Sequence, residues 1–240
     1  MAFCNKNKMF FALLLLWSAY VVIGVFAFSA VEGSARKEKE NEERSWSYEN
    51  SFWFTFVLLT TIGYGDLYPV TLLGKVLCVV YAFFGIPITI LFLRLIGQYI
   101  FRGQRWLVTA IETRCMRKYD PPNRLNGKCF VLGFIYLLLL LLAGAGVQMW
   151  VEADWSYEGS IYFYAISFTT VGFGDMLPSN KYIVVAFIFL QLTAVSSMLH
   201  AAASMTLVRR VTARVDNDDE RDIHANGKDV QATFKAADSK

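Results

Sequence analysis

Four long runs of this 240-residue chain carry no charge, and they restrict the fold more than any other feature. They lie between Lys8 and Glu32, Lys75 and Arg94, Lys128 and Glu152, and Lys181 and Arg209, and hold 23, 18, 23 and 27 residues. A helix needs about 20 apolar residues to cross roughly 30 Å of hydrocarbon. Each run is therefore a candidate span. The composition agrees, with 55% hydrophobic and only 18% charged residues. A compact soluble globule, a disordered chain and a disulfide-stapled secreted domain are set aside. The fold class expected is an all-α membrane protein with four spans.

Bases in the short flanking segments set orientation. Arg102, Arg105, Arg114, Arg117, Lys118, Arg124 and Lys128 crowd the segment between the second and third runs, against Glu112 and Asp120 alone. Lys6 and Lys8 precede the first run, and Arg209, Arg210 and Arg214 follow the fourth. These places read as cytoplasmic, so both termini are expected inside, most naturally at the plasma membrane. Glu152, Asp154, Glu158 and Asp175 mark the segment before the fourth run as external. The first run exceeds the ~7–15 residue apolar core of a secretory signal, so it is read as a retained span. None of Cys4, Cys78, Cys115 and Cys129 falls in an external loop, which argues against a structural disulfide. Their spacing fits no metal motif.

The chain also repeats itself. Trp46-Ser47-Tyr48-Glu49 recurs as Trp155-Ser156-Tyr157-Glu158, an offset of 109, and the same offset relates Thr60-Thr61 to Thr169-Thr170, Gly63 to Gly172, Gly65-Asp66 to Gly174-Asp175 and Pro69 to Pro178. Each copy is a span, a short apolar segment, a glycine-containing turn and a second span. The short segments, Ser51 to Thr60 and Ser160 to Thr169, would reach only about 15 Å as helix. Stretches of that length are more often re-entrant or buried than spanning. Non-helical backbone at membrane depth is tolerated only inside protein or against a water-filled path. The pattern describes a loop that dips into the membrane beside a pore.

The turns read Thr61-Ile62-Gly63-Tyr64-Gly65-Asp66 and Thr170-Val171-Gly172-Phe173-Gly174-Asp175. Replacing the water shell of a monovalent cation requires successive carbonyls aimed at one axis. A regular strand alternates them, whereas alternating left- and right-handed backbone aligns them, and glycine takes positive φ cheaply. Gly63, Gly65, Gly172 and Gly174 occupy alternate positions. Thr61 and Thr170 can add hydroxyls at the inner end, and Ile62, Val171, Tyr64 and Phe173 would point away from the axis as braces.

These residues closely resemble the potassium-channel signature Thr-Val/Ile-Gly-Tyr/Phe-Gly, in which four copies surround an axis. Two signatures in one chain resemble the two-pore-domain potassium channel family over residues 9 to 210. Glu32 and Gly85-Ile86-Pro87 match the family as well. The resemblance implies a pseudo-fourfold pore made by two chains, as a homodimer or a heterodimer with a related channel subunit. It implies passive background conduction of K+, with permeant K+ as the only ion and no other cofactor, no nucleic acid and no enzymatic activity. Two other readings remain: a potassium transporter of related repeat architecture, and a non-conducting subunit that needs a partner. The family's long external cap segment is nearly missing, since only about 19 residues separate Val31 from Ser51 and none is Cys.

The expected organisation is a cytoplasmic N-terminus over 1–8, a first pore domain over 9–100 (spans 9–31 and 76–97, pore loop 48–69) and a cytoplasmic linker over 101–128. A second pore domain follows over 129–210 (spans 129–151 and 182–208, pore loop 157–178), then a polar tail over 211–240, expected to be disordered. Thr193, Ser196, Ser197, His200 and Ser204 share one helical face, which suits either an inner-cavity wall or helix–helix packing. Gly85 and Pro87 mark a bend in the second span, as a hinge or a static kink. Asp66 and Asp175 suit either cation attraction at the outer mouth or hydrogen bonding behind the turn.

Overall fold

The computed structural model describes residues 2–36, 45–116 and 122–206. The tail over 211–240, Arg209 and Arg210, Arg117 and Lys118, and the middle of the short external segment lie outside the described residues. Within them the chain is all helical and contains no strand. Helix α1 runs Ala2–Arg36, α2 Tyr48–Leu59, α3 Leu72–Ile111, α4 Pro122–Val151, α5 Tyr157–Phe168 and α6 Lys181–Thr206. Four of these, α1, α3, α4 and α6, are long and apolar enough to cross a membrane. The two short helices, α2 and α5, have 12 residues each, about 18 Å.

Both short helices start three residues before the apolar stretch. Ser47 is the N-cap of α2 and accepts the Asn50 N–H; Ser156 caps α5 and accepts the Gly159 N–H. Glu49 and Glu158 sit in the first turns, where a negative charge complements the helix dipole. The repeated Trp-Ser-Tyr-Glu sequence is thus a helix start. A reading guided by hydrophobicity passes over that polar first turn.

Helix α3 differs more from expectation. Its 40 residues extend for about 60 Å, twice the hydrocarbon thickness, through Pro87 and on past Arg94 to Ile111. The expected linker over 101–128 therefore contains the end of α3, a π-helical turn at Glu112–Met116 and the start of α4. Charge ends a lipid-embedded segment, but it does not end a helix. Gly97 and Gly103 do not end this one either, and the proline at the first position of α4 marks the next start. Buried Glu112 receives Lys128 of α4 at 2.5 Å, tying the end of α3 to its neighbour.

Close approaches between helices centre on small residues. A Cβ on Gly85 would lie 2.3 Å from a Leu59 methyl and 2.5 Å from the Tyr20 ring, so α1 and α2 both seat on α3 there. One turn away, the Tyr20 hydroxyl donates to the Tyr81 carbonyl and the Tyr81 hydroxyl to the Tyr20 carbonyl, each at 2.7 Å, with the rings stacked. A Cβ on Gly97 would lie 2.8 Å from the Ser196 backbone, which fixes the α3–α6 crossing. Small residues at such crossings let membrane helices approach closely.

Gly97→Leu is expected to destabilise the folded chain by about 1–3 kcal/mol through overpacking. Thermal unfolding in detergent should show a lowered midpoint. Gly103→Leu, at a position with open space around it, is expected to leave the midpoint unchanged.

Candidate functional site

The two turns hang from the C-terminal ends of α2 and α5 in the same way. In the first, Thr61 N–H donates to Leu58 O at 3.1 Å, Ile62 N–H to Val57 O at 3.1 Å and Gly63 N–H to Val57 O at 3.4 Å. In the second, Thr170 N–H donates to Ser167 O at 3.0 Å, Val171 N–H to Ile166 O at 3.0 Å and Gly172 N–H to Ile166 O at 3.2 Å. These bonds serve two needs at once. They satisfy helix-end carbonyls that would otherwise be left without partners, and they bind the amides of the turn while its own carbonyls stay unused.

The backbone handedness alternates. Residues 61, 63 and 65 have φ of 60°, 64° and 79°, and residues 170, 172 and 174 have 59°, 55° and 73°. The four glycines take this conformation without steric penalty. Thr61 and Thr170 do not, because a β-branched residue at positive φ is an outlier. Strain of that kind persists only where the surroundings over-determine it, and it gathers at functional sites. The bonds from the preceding helices provide that constraint. Successive carbonyls on such a backbone face one side and can replace water oxygens around a cation. The C-terminal ends of α2 and α5, which carry partial negative charge, abut the inner end of the same turns.

Behind the turns, the aspartates are engaged. Trp53 Nε1 donates to Asp66 Oδ2 at 2.9 Å, and Tyr162 hydroxyl donates to Asp175 Oδ2 at 3.1 Å. Positions 53 and 162 are related by the repeat offset, so each short helix presents an aromatic donor thirteen residues before its aspartate. Sequence reasoning did not single out Trp53 or Tyr162, although aligning the repeats and asking which side chains can donate would have found both. Another pair acts alike, on amides related by the offset of 109, although the two carboxylates are themselves 120 residues apart. Glu32, fully buried, accepts Val70 N–H and Thr71 N–H, both at 3.1 Å, ahead of α3. Glu152 accepts Ser179 N–H at 2.8 Å and Asn180 N–H at 3.0 Å, ahead of α6. Each carboxylate sits at the outer end of one long helix and binds the amides that lead into the next. Glu152 Oε1 is therefore taken up by backbone.

The repeats also lean on one another. Tyr64 stacks between Trp53 of α2 and Phe163 of α5, and its hydroxyl pairs with Ser167 of α5 at 2.5 Å. Burial pushes the Tyr64 phenol well above its usual range, so it stays protonated. Ile62 is buried in the same cluster. Their counterparts Val171 and Phe173 are exposed in the single chain.

The other singled-out residues lie elsewhere. Gly85 and Pro87 are within the unbroken α3, with Tyr20 and Leu59 against Gly85. Of the polar stripe on α6, Ser196 donates to Leu93 O at 3.0 Å and Ser197 to Gln104 Oε1 at 3.1 Å, so both bond across to α3. Thr193 and Ser204 bond to their own helix, and His200 meets Phe101 edge-on. Helix–helix packing accounts for Ser196 and Ser197. Among the described residues no cluster of His, Cys, Asp or Glu has the arrangement of a metal centre, and Cys78 and Cys129 are free thiols.

Comparison with known proteins gives a consistent result. The sequence family described as "Ion channel" matches residues 12–102 and 130–208, one match on each repeat. "Potassium channel subfamily K member 16" of Homo sapiens is 36% identical over 176 residues, covering 70% of this chain and 54% of that protein. "Potassium channel subfamily K member 4" of Mus musculus is 31% identical over 157 residues, covering 63% of this chain and 39% of that protein. "TWiK family of potassium channels protein 7" of Caenorhabditis elegans is 27% identical over 198 residues, covering 72% and 35%. The chain thus spans about half the length of the human relative and less of the other two.

Ser167→Ala leaves the buried Tyr64 hydroxyl without its partner. The expected loss is about 1–3 kcal/mol of stability, read as a lower unfolding midpoint, with Ser167→Thr recovering most of it.

Proposed function

Because the chain belongs to the two-pore-domain potassium channel family, we propose that it is a potassium-selective channel subunit that conducts K+ passively, as a background or leak pathway. The observation that carries this reading is the alternating backbone at 61, 63 and 65 and again at 170, 172 and 174, hung from two short helices by equivalent bonds. Thr61, Ile62, Gly63, Tyr64 and Gly65 would form the first selectivity filter, and Thr170, Val171, Gly172, Phe173 and Gly174 the second. Carbonyl oxygens along each would replace the hydration shell of K+. Asp66 and Asp175 hold the outer ends of the filters through Trp53 and Tyr162.

Four filter strands surround the axis of such a pore, and one chain supplies two. The working unit in this reading is a dimer, with a second copy or a related subunit, each chain contributing pore domains over 9–100 and 129–210. The bases near the inner ends of the spans support cytoplasmic termini, with both filters opening outward; the plasma membrane is the membrane this reading assigns. His200 and Ser204, half-buried on α6, are left to the inner cavity wall, and Gly85 and Pro87 to a bend in α3. Two full signatures in one chain count against a transporter, whose related units are usually four and degenerate.

Reconstitution of the purified chain, with bilayer recording under a potassium/sodium gradient, tests the reading. The reversal potential is expected near the potassium value, and a value near zero or the sodium value would sink it. Gly63→Val forces a branched side chain into positive φ and is expected to abolish selective current while surface biotinylation shows the protein still in the membrane. Normal selectivity in that variant would mean the filter lies elsewhere.

A further inference from the structure

The two repeats meet through a polar and aromatic junction inside the chain. Lys181 at the start of α6 donates to Asn50 Oδ1 of α2. Tyr182 stacks on Phe52 with centroids 5.8 Å apart, and Tyr64 pairs with Ser167. These three contacts run in one direction, from the short helix and filter of the first repeat to α5 and α6 of the second. Applying the offset of 109 to both partners gives the reciprocal set, from the second repeat to a first repeat. Asn50–Lys181 becomes Gly159 with Leu72, Phe52–Tyr182 becomes Ile161 with Leu73, and Tyr64–Ser167 becomes Phe173 with Leu58. All three polar or aromatic pairs turn into pairs without a hydrogen-bonding side chain.

These reciprocal residues do not meet within one chain. Leu72 is 80% exposed and Leu73 66%. Phe173 is 64% exposed where Tyr64 is 7%, and Val171 is 50% exposed where Ile62 is 3%. A Cβ on Gly172 or Gly174 would strike the Ile62 or Tyr64 carbonyl, whereas one on Gly63 or Gly65 meets nothing within 4 Å. The second filter therefore stands against the first within the chain, and the surface beyond both is uncovered.

We propose that this surface seats a second copy of the chain through a dry apolar seam, in which Phe173 rests on Leu58, Ile161 on Leu73 and Gly159 on Leu72 of the neighbour. The inference rests on the dimeric-pore reading and says which residues join the two chains and by what chemistry. Its occupant follows from the offset, because another first repeat is the surface that the second repeat is built to continue onto. It has a functional consequence. The first filter is held by a hydroxyl pair inside its own chain, while the second is held by apolar contact with its neighbour. The ring of four strands is then braced unequally, and the Phe173 strands depend on dimer packing for their shape.

Cross-linking between differently tagged full-length chains tests the seam, with Cys4, Cys78, Cys115 and Cys129 replaced by serine. One chain carries Leu73→Cys and the other Ile161→Cys, and a short bis-maleimide is added. The mixed dimer is expected to become mostly covalent on a denaturing gel. With Phe52→Cys on one chain and Tyr182→Cys on the other, only a trace is expected to link, because that pair meets inside a chain. A second seam pair, Leu72→Cys with Gly159→Cys, is expected to behave like the first. Failure of both seam pairs to link, in protein that still carries potassium current, overturns the seam and leaves the channel standing. Efficient linking of Phe52→Cys to Tyr182→Cys across chains also overturns it.

Discussion

A loop at membrane depth whose carbonyls stay free must still satisfy its amides, and this requirement organises the structure. In hydrocarbon an unsatisfied backbone group costs several kcal/mol. Here the amides of residues 61–63 and 170–172 bond to the last turns of α2 and α5, closing helix ends that also lack partners. One set of bonds thus satisfies both segments and leaves the loop carbonyls available. The short helices exist to make this exchange. Their length, their serine caps and their position between long helices all serve to bring a helix C-terminus to the inner end of each loop.

Support then spreads outward in paired form. Trp53 and Tyr162 hold the two aspartates, and Glu32 and Glu152 hold the amides that lead into α3 and α6. The carboxylates differ in burial but act alike, each fixing where α3 or α6 begins relative to the long helix before it. The repeats are less alike where they meet. Inside the chain their contact includes Tyr64 with Ser167 and Asn50 with Lys181, whereas the equivalent positions on the open side are leucine, isoleucine, phenylalanine and glycine. A fused repeat can give its two faces different chemistry, because one is covered by the other repeat and the equivalent one is not.

Much of this was legible before any coordinates. Four charge-free runs announced the long helices, and the alternating glycines announced the loop backbone, because few other residues adopt positive φ. The repeat offset aligned the two sites residue by residue. Other features escaped. Thr61 and Thr170 take positive φ despite their branched side chains, and no local rule predicts a conformation imposed by bonds from the preceding helix. Helix α3 runs on past Arg94, since the end of a charge-free run marks where lipid stops and not where helical hydrogen bonding stops. The polar stripe on α6 read equally well as a wet wall or a packed seam, and only the placement of Leu93 and Gln104 opposite Ser196 and Ser197 decided for packing there.

The sequence by itself determined the class of protein, the number of spans, the twofold repeat and the chemistry of the loops. These depend on properties that a single segment carries: hydrophobic length against membrane thickness, and the conformational range of glycine. The tertiary structure decided which side chains hold those loops and which faces are covered. Tyr64 and Phe173 are near-equivalents in sequence, yet one is buried against a neighbouring helix and the other is exposed. That difference arises from which face of each repeat the other one covers, and no residue encodes it alone.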